Sequence, residues 1–355
     1  MKAMLLAAGY GERMLPITSV VPKPLIPVLG RPLAPQILSR LAAEGVDEAV
    51  VNLHHLPERL RTAFGDGAAY GLRALYFSLE EKTLLGTGGG LAHAASRLKG
   101  AGTILVRNSD FLADIALAEV VASHLRSGCP ATIVVAPHRV GYTPVAIDHR
   151  SRVAAFGGKE GGRYLFTGYH LIEESILERI PRDAPSDIVR DVYFSLAAEG
   201  RLNAYVHEGF WWEFGEPRQY LDGSMRVIAL PPEKRARLGN FDSVRSAAGA
   251  VAAIGAGADL SAAGIELSGT LAIGMGVCVG ERTTLVDTVI MPEAWVGPGS
   301  SLARCIVAPG TEIPGGFEAA DSVLAADLDA NAAPGRNVER VAGLLIKRFS
   351  VATAE

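Results

Sequence analysis

The sequence is poor in cysteine, in long apolar runs and in charge of one dominant sign. Three cysteines occur in 355 residues: Cys129, Cys278 and Cys305. Their spacing makes neither a metal knuckle nor a disulfide framework, and a reducing cytoplasm fits. Lys and Arg number 34 against 38 Asp and Glu, a formal net charge of −4. That balance gives no general attraction to nucleic acid or to an anionic membrane, so neither is expected as a partner. An anionic substrate would need a local basic site. The apolar run Ala3–Ala8 stops at Gly9, too short for a signal-peptide core. The longest uncharged apolar stretch, Ala247–Ala258, is mostly Ala and Gly and falls below the roughly 20 residues of a membrane helix.

What is present divides into two grammars. Over the first 230 residues or so, strand-like and helix-like segments alternate. Ala3–Leu6, Glu48–Leu53, Leu72–Phe77, Thr103–Val106 and Ala131–Ala136 read as strands. Pro32 opens a helical stretch with Leu33, Ile37 and Leu41 on one face, closed by Gly45. Pro57–Phe64, Leu91–Leu98 and Leu117–Arg126 read as further helices. The alternation predicts a Rossmann-like α/β domain with a mostly parallel sheet, and ligands beyond the carboxyl ends of its strands.

From about Val251 the period changes to six. Leu267, Ile273, Val279 and Leu285 are each six apart; after a five-residue step, Ile290, Val296 and Leu302 repeat the spacing. Ile254 and Leu260 share the spacing, and glycine follows several of these positions: Gly255, Gly274, Gly280 and Gly297. Fixed hexads predict a parallel β-helix, each short strand turning one aliphatic inward. An Ala/Gly-rich disordered tail is the bland alternative, and the regular aliphatics argue against it. The division expected is 1–230 catalytic, 231–250 connector, 251–335 β-helix, and 336–355 a C-terminal helix and tail.

Three clusters carry the chemistry. Gly9-Tyr10-Gly11-Glu12-Arg13 follows a strand, and glycines let backbone N–H groups approach phosphate oxygens. Taken alone it reads equally as an ordinary tight turn, since it is neither a Walker A loop nor a full dinucleotide fingerprint. Leu85-Gly86-Thr87-Gly88-Gly89-Gly90-Leu91 is either a ligand loop or a glycine turn opening a helix. Thr103–Val106 runs into Asn108-Ser109-Asp110, where Asp110 could hold Mg²⁺ or cap the next helix.

The wider context resembles the sugar-1-phosphate nucleotidylyltransferases. Leu6-Ala7-Ala8-Gly9-Tyr10-Gly11-Glu12-Arg13-Met14-Leu15-Pro16-Ile17-Thr18, then Pro22-Lys23-Pro24, is similar to that family's L-A-A-G-x-G-x-R-(L/M)-x-P-x-T and P-K-P. The resemblance implies nucleotide binding along Leu6, Ala8, Gly9 and Gly11, with Arg13 and Lys23 neutralising the phosphates. The loop Gly86, Thr87, Gly88 and Gly89 resembles the family's base-reading L-G-T-A-G-A-L, with Gly88 and Gly90 in place of alanines. Asp110 would be the first Mg²⁺ ligand. Trp212-Glu213-Phe214-Gly215-Glu216-Pro217 resembles W-x-D-x-G-T-P, which makes Glu213, in place of aspartate, the second. Asn108, Lys159 in Phe156-Gly157-Gly158-Lys159, and Gly168 in Phe166-Thr167-Gly168 fall at sugar-binding positions.

The reaction implied joins a nucleoside triphosphate to a sugar 1-phosphate, releasing pyrophosphate. Mannose-1-phosphate guanylyltransferases are the most similar branch, with a left-handed β-helix appended. Uridylyltransferases acting on N-acetylmuramate 1-phosphate, and a non-catalytic nucleotide-sugar-binding regulator, are the alternatives. Hexad β-helices also occur in acyltransferases with a catalytic histidine, but all eight histidines here lie at or before His207. The repeat is therefore expected to be an oligomerisation or regulatory platform, and the protein a homo-oligomer.

Overall fold

The computed structural model describes residues 1–158, 162–182, 184–241, 243–247, 249–329 and 337–349. The chain folds into two compact units, each assembled from separate stretches: Met1–Gly9 with Ala34–Trp211, and Tyr10–Leu33 with Trp212–Glu355. These units cut the chain differently from the expected 1–230, 231–250, 251–335 and 336–355.

The first unit is built on a nine-stranded sheet. One end of it is four parallel strands, β1 (Lys2–Leu6), β2 (Glu48–Leu53), β3 (Ala74–Leu79) and β4 (Thr103–Asn108), in the order β4-β1-β2-β3 with β3 at the edge. The near-continuous aliphatic runs of β1, β2 and β4 follow from burial on both faces: Ala3, Met4, Leu5, Val50, Val51, Ile104, Leu105 and Val106 are all inaccessible. Helices α1 (Leu33–Ala43), α2 (Pro57–Phe64) and α3 (Gly86–Leu98) make the crossovers. Beyond β4, Tyr164–Glu173 runs antiparallel to β4 and to Ala131–Pro137, and Leu202–Val206 pairs parallel with the latter. Met4, Val50, Leu91, Leu98, Val106, Ile133 and Ile172 meet in one core. Each such side chain contributes about 1.5–3 kcal/mol on burial.

This strand order locates the site. From β1 the chain moves outward through β2 to β3, then crosses back to place β4 on the other side of β1. The order therefore reverses between β1 and β4, and the crevice beyond their carboxyl ends is where open α/β sheets bind ligands.

In the second unit the predicted β-helix is present as three stacks of parallel strands. Leu267, Leu285 and Leu302 are in register in one, Ile273, Ile290 and Val307 in the next, Val279, Val296 and Ile313 in the third. These aliphatics fill the interior. The glycines after them have a packing cause. A Cβ at Gly255, Gly274, Gly280 or Gly297 would lie 2.4, 2.5, 2.6 or 2.5 Å from the backbone nitrogen of Met275, Pro292, Pro298 or Gly315 on the adjoining coil. The expected connector contributes a strand as well, Val244–Ala247, paired with Ala250–Ile254.

Among the described residues the expected C-terminal helix is absent. Residues 337–349 form a hairpin of strands Glu339–Val341 and Leu344–Arg348, the second running antiparallel to Ser322–Ala326. The decisive spacing is two, not 3.6: Leu344 and Ile346 both pack on the β-helix core and close its end.

Candidate active site

The first unit carries Leu6, Ala8, Gly9, Gly86–Gly89, Asn108, Asp110 and Gly168; the second carries Gly11, Arg13, Lys23 and Glu213. Lys159 lies outside the described residues.

In the first unit, the ends of β1 and β4 meet. Leu6 is in register with Asn108, and the Ser109 N–H donates to the Leu6 carbonyl at 3.1 Å. Asn108 in turn sits against Gly168, where the adjoining strand slips register. Gly168 has φ +77°, and a Cβ there would lie 2.7 Å from Asn108 Nδ2. Two predicted sugar-binding residues are thus in contact. Asp110 follows, half-buried.

The turn bearing Asp110 is fixed from below by Arg107, which sequence reasoning misses. Its guanidinium is buried, donates to the carbonyls of Asn108 (3.3 Å) and Phe111 (2.8 Å), and lies 4.2 Å from the Phe111 ring centroid. Burial pushes its pKa down to about 10. An arginine among aliphatics at a strand's carboxyl end is the signal that could have found it.

A second missed network joins the two glycine loops. The Ala7 N–H donates to Asn52 Oδ1 at 2.7 Å, Asn52 Nδ2 donates to Glu80 Oε1 at 2.7 Å, and Glu80 Oε2 accepts the Leu85 N–H at 2.7 Å. Asn52 and Glu80 are 3 % and 2 % exposed. The Glu80 carboxylate therefore stands at the N-terminus of α3, where the helix dipole favours an anion. Asn52 lies at the carboxyl end of β2 and Glu80 directly follows β3, the strand ends where open α/β sheets bind ligands.

The glycines of α3 are not all ligand-facing. Gly88 and Gly89 N–H both donate to the Ser186 carbonyl, at 2.9 and 3.3 Å, and Thr87 Oγ1 accepts the Ile188 N–H at 3.0 Å. A Cβ at Gly88 would lie 2.6 Å from Ser186 Oγ; one at Gly90 would lie 2.8 Å from Asn52 Nδ2. The departures from alanine at 88 and 90 therefore have local packing causes. Gly86 is exposed and Thr87 half-buried, whereas Gly88 to Gly90 are buried.

In the second unit, Gly11 sits at φ +73°, ahead of the short 3₁₀ turn Glu12–Met14. A Cβ at Gly11 would lie 2.8 Å from Thr18 Cγ2 and 3.2 Å from Lys23 Cβ, and Thr18 Oγ1 donates to the Gly11 carbonyl at 2.9 Å. Gly11, Thr18 and Lys23 are therefore one packed group, which accounts for these residue types recurring at fixed spacing. Arg13 pairs with Glu213 Oε1 at 3.3 Å and Glu216 Oε1 at 3.5 Å. Glu213 is held by its neighbour Trp212, whose Nε1–H donates to the Gln219 carbonyl at 2.8 Å and whose ring lies 4.5 Å under the Arg226 guanidinium.

Among the described residues, no group of three or more His, Cys, Asp or Glu side chains could hold a metal. Asp110 and Glu213 offer oxygen ligands, the donor type that suits Mg²⁺. That ion takes one or two carboxylates and completes its shell with phosphates and water.

The comparisons with known proteins bear on the same residues. Residues 2–229 match the family model described as nucleotidyl transferase. The chain belongs to the sugar-1-phosphate nucleotidylyltransferase family. The mannose-1-phosphate guanylyltransferase of Mycobacterium tuberculosis is 30 % identical over 314 residues, 85 % of this chain and 83 % of that protein. The probable mannose-1-phosphate guanylyltransferase 1 of Oryza sativa subsp. japonica is 31 % identical over 323 residues, 88 % and 82 % of the two chains. Among solved structures, HddC from Yersinia pseudotuberculosis superposes with a TM-score of 0.54 at 20 % identity, covering 63 % of this chain and 98 % of its own. That likeness is one of fold. No helix among the described residues is long and apolar enough to cross a membrane.

As a nucleotidylyltransferase the protein needs charge offset and in-line positioning more than covalent help.

Proposed function

We propose that this nucleotidylyltransferase makes GDP-mannose, or the GDP form of a closely related sugar, from GTP and the sugar 1-phosphate. The observation carrying the substrate choice is the set of relatives named mannose-1-phosphate guanylyltransferase, two of them matched over more than four fifths of both chains. In this reading a phosphate oxygen of the sugar 1-phosphate attacks the α-phosphorus of GTP. The bond from the α-phosphorus to the bridging oxygen breaks, and pyrophosphate leaves with that electron pair. The attacking oxygen is already anionic, so no general base is required. Arg13 and Lys23 offset charge on the phosphates, and Asn108, Lys159 and Gly168 orient the sugar phosphate. Mg²⁺, held through Asp110 and Glu213, would supply further charge neutralisation.

Gly9 supports the role of the first loop. Its φ is not left-handed, and a Cβ there would meet nothing within 4 Å. Neither backbone nor packing requires glycine, which leaves close approach of a ligand as the reason. For the base, Gly86 and Thr87 are better candidates than Gly88 and Gly89, whose N–H groups are already used.

The test is pyrophosphate release from GTP, UTP, ATP, CTP and dTTP, each against a panel of sugar 1-phosphates with Mg²⁺. The panel includes mannose, glucose and N-acetylmuramate. GTP with mannose 1-phosphate is expected to give the highest kcat/KM. A tenfold preference for another pair overturns the substrate choice, and nucleotide-sugar binding without turnover in any pair overturns the catalytic reading.

A further inference from the structure

Arg13 is gripped at both ends by residues far from it in sequence. Its guanidinium pairs with Glu213 and Glu216, and its backbone carbonyl accepts from Lys347 Nζ at 3.0 Å. Lys347 lies on the closing strand Leu344–Arg348 of the β-helix, and all four residues belong to the second unit. Leu344 and Ile346 of that strand are seated in the β-helix core, so by alternation Lys347 faces the other way, from a rigid base. The lysine is half-buried, and burial lowers its pKa while the Glu216 charge opposes that shift. One cation, Lys347, and two carboxylates, Glu213 and Glu216, thus surround Arg13 of the signature loop Gly9–Arg13.

We propose that Lys347 is a positioning residue for the nucleotide site, through which the closing hairpin of the β-helix sets the geometry of the signature loop. The turn Glu12–Met14 is only three residues long, so anchoring the carbonyl of its middle residue restricts where the Arg13 side chain can point. The carboxylates hold the guanidinium until triphosphate oxygens replace them, and the lysine keeps the backbone in place during that exchange. This inference rests on the nucleotidylyltransferase reading for its kinetic consequence but not for its structural one.

Two variants of the full chain test it, Lys347→Met and Lys347→Arg. In Lys347→Met, KM for the nucleoside triphosphate is expected to rise at least fivefold. The sugar-phosphate KM, kcat and the melting temperature should stay near the wild-type values. Lys347→Arg, which keeps the donor and the charge, should recover most of the loss. Hydrogen exchange supplies a readout independent of turnover: amides of residues 12–18 should exchange at least threefold faster in Lys347→Met. An unchanged triphosphate KM in active protein overturns the proposal, as does unchanged exchange. So does a general fall of kinetics and melting temperature together, which marks a merely structural role. If the wild type turns over no substrate pair, the function reading fails, and the exchange measurement alone decides the coupling.

Discussion

Replacing Gly9 by alanine separates the two meanings a glycine loop can have. At Gly9 the backbone is not left-handed and an added methyl would meet no protein atom within 4 Å. Stability should therefore change by no more than about 0.5 kcal/mol, and loss of unfolded-chain freedom can make the change favourable. Function should suffer instead. A methyl standing where phosphate oxygens approach the loop displaces a charge-assisted hydrogen bond worth about 1.5–3 kcal/mol. At about 1.4 kcal/mol per factor of ten, kcat/KM should fall by roughly 10- to 150-fold. Gly11→Ala is the contrasting control. It forces alanine to φ +73° and sets a methyl 2.8 Å from Thr18 Cγ2. The left-handed backbone costs about 1–2 kcal/mol and the overpacking a similar amount, so this variant should melt lower as well as lose activity. Scanning calorimetry and coupled pyrophosphate release measure the two effects. A melting temperature for Gly9→Ala several degrees below wild type, or an unchanged triphosphate KM, would refute the reasoning.

Three further outcomes follow from particular contacts. Gly88→Ala places a methyl 2.6 Å from Ser186 Oγ and should cost about 1–3 kcal/mol in urea unfolding, with Ser186→Ala in the same chain recovering part of it. Leu285→Ala removes an inaccessible side chain stacked between Leu267 and Leu302, and should destabilise the β-helix by about 2–5 kcal/mol, read as a shifted denaturation midpoint. His170 is buried and its Nδ1 is hydrogen-bonded with the Tyr193 hydroxyl; burial pushes its pKa down to about 3. Below its ordinary pKa near 6.5 the unfolded chain binds a proton that the folded chain refuses, so stability falls as pH drops from 6.5 toward 3. One such proton contributes about 1.4 kcal/mol per pH unit, and a His170→Gln variant should show a stability–pH slope shallower by that amount.

The parts of the fold legible in sequence were those whose burial was symmetric or periodic. β2 and α2 have the boundaries their composition predicts, because both-face burial selects an unbroken aliphatic run and Pro57 marks a helix start. The hexads survive as three in-register stacks because each inward aliphatic packs on its own kind one coil away. The C-terminal segment defeated the same reasoning. Five residues, Leu344–Arg348, are too few to distinguish a period of two from one of 3.6, and the choice was made by the exposed end of the β-helix that needed covering.

Glycine was legible as a signal but not as a cause. Three glycines looked alike in sequence: Gly9 and Gly11 lie in the loop after β1, and Gly88 lies in the first turn of α3. Gly9 meets no protein atom, Gly11 is held by Thr18 and Lys23 in a left-handed turn, and Gly88 makes room for Ser186. Ser186 is almost a hundred residues away from Gly88, so no local pattern could reveal that contact. Separation in sequence likewise hides Arg13 from Lys347, 334 residues away, and Ala7 from Asn52, 45 residues away. A family motif preserves residue types without saying which are answerable to the ligand and which to the protein. What a methyl group would touch at each position separates the two, and on that criterion Gly9 is the loop glycine that no packing contact within the protein explains.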